Sequence, residues 1–362
     1  MIAKSQKPKA KSQDYVPKVN HNLGKVHVAL SVYDPSGKYS QHAGVVITSI
    51  FENTHNPVII YILHDETLTE DNKNKFMRTA EKYNQEINLI DLTEYVKKLP
   101  AQVIKFFNGK HISIGAFYRL MMPEIFPELD KIIYLDCDTV VNLDIVSLWQ
   151  IDIKNYCLVA VADQYIKSQL NRKFLKLISV MSVEFWAMNI SGNNYFNSGV
   201  LVLNLHEIRK TGNLIENAVK WFTKYSKISS FGDQDFLNAF FHKQTLLIDS
   251  RFNKCNPQIQ ENIQNEIIHT PGELKTWRVD GMPVQKLYWN FYIKSAWGEN
   301  KSLEELAETM NNYATYRHPV PKLPKLSITK RALRKIKRII MNRDIVKILI
   351  SFMYGIKYRI IR

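Results

Sequence analysis

The sequence predicts an α/β fold, an open sheet flanked by helices, with a basic amphipathic helical tail at its C-terminal end. Three observations lead there. From residue 26 to about 165, apolar runs of strand length alternate with segments of helical period. The run VIIYIL (58–63) is apolar and β-branched almost throughout, as in a strand covered on both faces. The chain has 362 residues, 45% of them apolar and 23% charged, which excludes a disordered chain, a collagen-like repeat and a disulfide-stapled miniprotein.

The elements follow in order. Residues 1–25, rich in Lys, Ser, Gln and Pro without an apolar period, form a basic disordered arm. VHVALSV (26–32) is the first strand, and the loop VYDPSGKY (32–39) leads into a helix over 40–53. After the strand at 58–63, Thr67 and Glu70 form a capping box that opens a helix to about residue 83. INLIDL (87–92) is the next strand. A short helix around 115–122 precedes IIYL (132–135), a brief strand ending at Asp136. Strands are expected at 158–162 and 195–203, and helices at 213–225 and 233–241. Residues 271–297 are aromatic-rich and read as irregular. A helix and a linker punctuated by Pro319, Pro321 and Pro324 fill 301–324.

The formal charge of +15 invites a nucleic-acid reading, and its distribution argues against one. Residues 1–25 carry +5 and residues 325–362 carry +11, while 26–324 hold 31 basic and 32 acidic residues. A groove-binding domain bears a positive stripe on its folded surface. Blocks of like charge at the ends act as interaction tails. Cys137, Cys157 and Cys255 are too few and too scattered for a disulfide framework or a zinc site. The N-terminus lacks the apolar stretch of a secretory signal. The longest apolar segment, 345–356, contains Lys347 and falls short of the ~20 residues that span a bilayer. The expectation is a reduced, cytoplasmic protein whose membrane contact is peripheral.

Four constellations can carry chemistry. In Asp136-Cys137-Asp138, two carboxylates at i and i+2 on an extended backbone point the same way. Like charges held that close call for a cation or a proton between them. Oxygen ligands suit a hard divalent ion such as Mg²⁺ or Mn²⁺, which in turn holds phosphates. An isolated Asp-x-Asp is more often a solvated loop. Here the flanking IIYL and VVNL put it at a strand end, where open sheets bind ligands. In Tyr195-Phe196-Asn197-Ser198-Gly199, small residues permit close backbone approach and Asn197 offers an amide to a sugar hydroxyl. In Phe231-Gly232-Asp233-Gln234-Asp235, either Gly232 or Asp233 caps the following helix, or the acids serve the site. Lastly, His269 precedes Pro271, Gly272 and Lys275, a ring nitrogen and an ammonium within reach of a metal and a diphosphate.

Taken in that order, the pieces resemble glycosyltransferase family 8, the retaining sugar-nucleotide enzymes that include bacterial lipopolysaccharide glucosyl- and galactosyltransferases. The matching segments are HISIGAFYRLMMPEIFP (111–127), KIIYLDCDTVVNLDIVSLW (131–149), YFNSGVLVLNL (195–205), FGDQDFLN (231–238) and IIHTPGELKTW (267–277). The resemblance covers about 26–300 and implies a catalytic domain of GT-A type, an open mixed sheet with a Rossmann-like nucleotide-binding half. It implies Asp136, Asp138 and His269 as ligands of Mn²⁺ or Mg²⁺, with Gly272 and Lys275 on the diphosphate of a UDP-sugar. Arg119 then lies near the donor, and Ser31, Val32 and Asp34 line the nucleoside pocket. Asn197, Asp233 and Gln234 surround the transferred sugar, and Asp163 faces sugar and acceptor. The first loop, VYDPSGKY, is longer than the family's short Asp-Asp-Asn-Tyr type.

The implied reaction moves glucose or galactose from UDP-glucose or UDP-galactose to a cell-envelope glycan or glycolipid. Retention by same-face attack is preferred to a covalent intermediate, for which Asp233 is the candidate nucleophile. Ile328, Ala332, Leu333, Ile336, Ile339 and Ile340 recur at helical spacing among Lys and Arg, making 325–362 a basic amphipathic segment suited to an anionic membrane surface. That places the enzyme at the inner face of a bacterial cell membrane, with no nucleic acid expected. A sugar nucleotidyltransferase shares the acidic metal site but has no need of the tail. A non-enzymatic polyanion-binding protein accounts for the tail alone.

Overall fold

The computed structural model describes residues 24–108, 112–166, 184–185, 187–255, 263–272, 275–278 and 283–315. Its strands are β1 (Val26–Val32), β2 (Val58–His64), β3 (Glu86–Asp91), β4 (Lys131–Leu135), β5 (Thr139–Asn142), β6 (Leu158–Ala162), β7 (Phe196–Asn204), β8 (Thr245–Ile248), β9 (Lys254–Cys255) and β10 (Glu266–His269). Seven of them form a mixed sheet in the order β3-β2-β1-β4-β7-β6-β8. β1 pairs in parallel with both β2 and β4, whereas β7 runs antiparallel to β4 and β6. The chain therefore leaves β1 toward one edge and returns to its other side with β4. Crevices at such reversals, beyond the carboxyl ends of the strands, are where open sheets bind ligands.

Burial explains why these segments form strands. β1 is buried at six of its seven positions, and all nine residues of β7 are buried, so no polar alternation is needed. One face is covered by helix α1 (Ser40–Asn53), buried from Ser40 to Phe51, and by the helix Pro283–Lys294. The other carries Phe106, Phe107, Phe117, Phe222 and Phe236, an aromatic cluster from four helical segments. Helix α2 (Glu70–Tyr83) buries Asn72, Phe76, Thr79 and Ala80, one face of a 3.6-residue period.

A second sheet, β5-β10-β9, stands beside the end of β4. The sequence did not mark β5 as a strand, because VVNL directly after the Asp-x-Asp turn is too short to show a period. Its antiparallel pairing with β10 sets His269 opposite Thr139, next to Asp138, and the parallel pairing with β9 sets His269 beside Cys255.

Several expectations need correction. Thr69, not Thr67, caps α2 by accepting a hydrogen bond from the Asn72 amide, while Thr67 donates to Asp65 and accepts from the Asp34 amide. The helix expected near 115–122 is three short turns, Gly115–Tyr118, Arg119–Met121 and Met122–Ile125, with Pro123 opening the last. Residues 271–297, read as irregular, contain the helix Pro283–Lys294, which buries Val284, Gln285, Tyr288, Trp289, Phe291 and Tyr292 along one face. The helix Leu303–Thr315 packs on the core through Leu306, Met310 and Tyr313. Among the described residues no helix is long and apolar enough to cross a membrane. The arm up to residue 23 and the segment 325–362 lie outside the described residues.

Candidate active site

The site lies where β4 ends. Asp136 to Asp138 form a tight turn rather than a continued strand: the Asp136 carbonyl accepts from the Thr139 amide at 3.2 Å and its hydroxyl at 2.8 Å. The two carboxylates thus converge through a turn, which corrects the expectation of strand alternation. Cys137 points away, its thiol donating to the Ser31 carbonyl at 3.2 Å. Burial first, then Asp136 and Asp138, push that thiol well above its ordinary pKa, so it stays protonated and inert.

Ligand atoms of Asp136, Asp138 and His269 all lie within 4.8 Å of one another. His269 Nε2 stands 3.0 Å from Asp138 Oδ1 and 3.7 Å from Asp136 Oδ2, and Lys275 Nζ donates to Asp138 Oδ2 at 2.5 Å. Burial works against both charges, yet Lys275 and His269 hold the Asp138 carboxyl well below its usual range, and Asp138 raises the His269 ring well above its own. Two carboxylates and an imidazole fit a hard or borderline divalent ion such as Mn²⁺ or Mg²⁺. Two protein cations now offset the charge that such an ion would offset.

Gly199 makes this convergence sterically possible. A Cβ built there would fall 2.1 Å from His269 Cε1 and 2.8 Å from Asp136 Oδ2, so the glycine of Asn-Ser-Gly is required by close approach. Gly199→Ala should displace His269, lower stability by about 1–3 kcal/mol and weaken Mn²⁺ binding, both readable in one thermal-melt titration. An unchanged melt and affinity would contradict this packing.

On the other side of Asp136 lies Arg119, 4% exposed. Its Nη2 donates to Asp136 Oδ1 at 2.7 Å, Nη1 to the Ser198 carbonyl at 2.6 Å and Nε to the Ala116 carbonyl at 3.1 Å, with Asp233 Oδ2 3.2 Å from Nε. The guanidinium also covers the Tyr134 ring. Despite its burial, Asp136 and Asp233 keep it charged. Arg119 is thus a bridge between two carboxylates.

β7 delivers Asn197, Ser198 and Gly199. Its pairing with β6 jumps from Leu201 to Asn197, a bulge that frees 198–200 from the ladder. The Ser198 carbonyl can then accept from Arg119, and the Gly199 carbonyl accepts the Asp136 amide at 2.8 Å. The helix Asp233–Phe241 docks here through Asn238, whose side chain bonds both the amide and the carbonyl of Phe196. Gly232, at φ +59°, occupies the cap position, which decides between the two expected caps. Asp233 accepts from Ser198 Oγ at 3.3 Å, and burial pushes its pKa up to about 6 against the pull of Arg119. Gln234 is held at both ends, its Oε1 by the Ser198 amide at 3.0 Å and its Nε2 by Asp163 Oδ2 at 3.3 Å and Tyr195 at 3.2 Å. Asp163 also receives Asn197 Nδ2 at 3.5 Å and the Ile166 amide at 3.0 Å. Asp235, unassigned from sequence, ties down the loop before the helix through Ser229, Ser230, Phe231 and Tyr195.

The remaining expected residues divide. Ser31 and Val32 end β1, where the Ser31 carbonyl accepts from the Cys137 thiol. Asp34 is 1% exposed and turns inward, accepting from the Tyr39 and Ser40 amides and the Ser40 hydroxyl, so it fastens the loop onto the start of α1. Gly272 adopts φ +88°, with open space beside it. Lys275 also lines a cavity of about 700 Å³ whose wall, among the described residues, includes Lys38, Lys75, Arg278 and Lys301 and no acidic residue. Tyr134, Ser198, Asn253 and Gly199 were not singled out individually for the site. Asn253 belongs through the pairing of β9 with β10, which a local reading of the sequence does not reveal.

The same architecture occurs in solved structures. The bifunctional glycosyltransferase WbbM, in its apo form, superposes with a TM-score of 0.64 at 19% identity, covering 81% of this chain and 53% of that one. The galactosyltransferase LgtC, in complex with donor and acceptor sugar analogues, superposes with a TM-score of 0.61 at 20% identity, covering 79% of this chain and 100% of that one. The shared fold is that of a GT-A glycosyltransferase. The family model for glycosyl transferase family 8 matches residues 31–281, and the chain belongs to that family. A Haemophilus influenzae protein that carries a glycosyltransferase name is 28% identical over 223 residues, 61% of this chain and 62% of its own length. The chain therefore spans less than two thirds of that relative.

Proposed function

We propose that this glycosyltransferase moves a hexose, glucose or galactose, from a UDP-sugar to a glycan or glycolipid, with retention of configuration. The observation that carries the reading is the convergence of Asp136, Asp138 and His269 on one point, with Lys275 on Asp138. A divalent ion held there supplies positive charge to the leaving diphosphate. Lys275 adds an ammonium, and the cavity it lines, with Lys38, Lys75, Arg278 and Lys301 in its wall, suits phosphate charge. Asp163, Asn197 and Gln234 form one hydrogen-bonded group that offers polar edges to a sugar. Asp233 is 3% exposed and engaged by Arg119 and Ser198, which favours same-face attack over a covalent intermediate.

A panel of UDP-sugars incubated with purified protein and Mn²⁺ tests this. UDP-glucose or UDP-galactose should release UDP, and chelation should stop it. Failure of every UDP-sugar, with other nucleotide sugars active, would overturn the donor assignment.

The acceptor is proposed to lie at an anionic membrane, reached through residues 325–362. The full chain should float with liposomes containing phosphatidylglycerol, and a chain ending at residue 324 should not. Flotation independent of anionic lipid would remove the membrane reading.

A further inference from the structure

The candidate metal ligand His269 has two ring nitrogens, and a coordinating ring must offer the right one unprotonated. Nε2 faces Asp136 and Asp138. Nδ1 faces Asn253 Oδ1 at 3.0 Å, with Cys255 Sγ farther off at 3.5 Å.

Which end of the Asn253 amide meets the ring follows from groups whose roles are fixed. The Gly199 backbone N–H can only donate, and it lies 2.9 Å from Asn197 Oδ1. The Asp163 carboxylate, as an acceptor, receives Asn197 Nδ2 at 3.5 Å. Both ends of Asn197 therefore agree, and its Oδ1 must be the acceptor for Asn253 Nδ2 at 2.9 Å. That leaves Asn253 Oδ1 toward the histidine, as an acceptor. The Cys255 thiol, 3.2 Å from the same oxygen, donates to it as well and so does not compete for the ring proton. Asn253 is 2% exposed, so water does not substitute for it readily.

We infer that Asn253 is a positioning residue for the metal centre: its Oδ1 holds the proton of His269 on Nδ1 and thereby presents Nε2 as the ligand atom. The inference rests on the metal reading above and adds a named residue outside the three ligands. Partners of this kind orient ligating histidines, and their loss typically costs about 10–100-fold in metal affinity. The relay Asp163–Asn197–Asn253–His269 also joins the sugar side of the site to its metal side through side chains alone.

The test measures Mn²⁺ affinity of the full-length protein by electron paramagnetic resonance, with the melting temperature of each metal-free variant alongside. Asn253→Leu should bind Mn²⁺ about 10–100-fold more weakly. Asn253→Asp, which keeps an acceptor toward Nδ1 but loses the donor to Asn197 Oδ1, should bind more tightly than Asn253→Leu. Cys255→Ala should bind as wild type. If the leucine variant lacks a cooperative melt, Asn253→Ala takes its place. Binding by Asn253→Leu within twofold of wild type would overturn the inference, as would a loss in Cys255→Ala that Asn253→Leu does not share. Wild-type protein that binds no Mn²⁺ would instead remove the metal reading and this inference with it.

Discussion

The double substitution Asp136→Ala and Asp138→Ala should reduce Mn²⁺-dependent release of UDP on the order of 10³-fold or more. Charge stabilisation by a bound metal is worth several kcal/mol, and each 1.4 kcal/mol is tenfold in rate. The effect should fall on function rather than folding. Arg119 keeps Asp233 as a partner, His269 can lose its extra proton once Asp138 is gone, and the Lys275 side chain is 22% exposed and able to reach water. The check is a rate assay paired with thermal melts. Full activity in the double variant would show that the chemistry lies elsewhere.

Asp233→Asn should separate stability from activity in opposite directions. Burial pushes the Asp233 pKa to about 6, above the ordinary 3.8. Between those values the folded protein retains a proton that the unfolded chain has released, so folding weakens as pH rises through that window. Above about pH 6 the cost is constant. The asparagine variant carries no such cost, so it should be more stable by about 1–3 kcal/mol at pH 7.5. The gain should shrink toward zero as pH approaches 4. Catalysis should fall, because the variant removes one of the two acids that Arg119 bridges. Denaturant unfolding at pH 4, 6 and 7.5 measures it, and a gain that grows toward low pH would contradict the assignment.

Much of the catalytic body was legible in the sequence because its signals are local. Buried strands such as 58–63 and 158–162 announce themselves by continuous apolar runs, and the helix 233–241 by capping residues ahead of an apolar run. The Asp-x-Asp pair was legible as a pair of converging carboxylates, although its geometry was not: three residues cannot reveal whether they extend or turn. What stayed hidden depends on contacts between distant segments. Gly199 is needed because His269, seventy residues later, crosses above it. Asn253 matters through a two-residue strand that exists only when paired with β10. Arg119 and Asp34 carry contacts that residue type did not announce: they hold Asp136 with Asp233 and the start of α1. Buried polar side chains are paired within the protein, a demand that residue type alone does not reveal.

The central claim is that Asp136, Asp138 and His269 form one metal centre facing the donor's diphosphate. A crystal structure of the full chain grown with Mn²⁺ and UDP tests it most directly. The account predicts a single anomalous peak bound by those three side chains, with the UDP diphosphate between the ion and Lys275. Manganese held by other residues, or a diphosphate bound away from Lys275 while the three side chains keep only their present contacts, would contradict it.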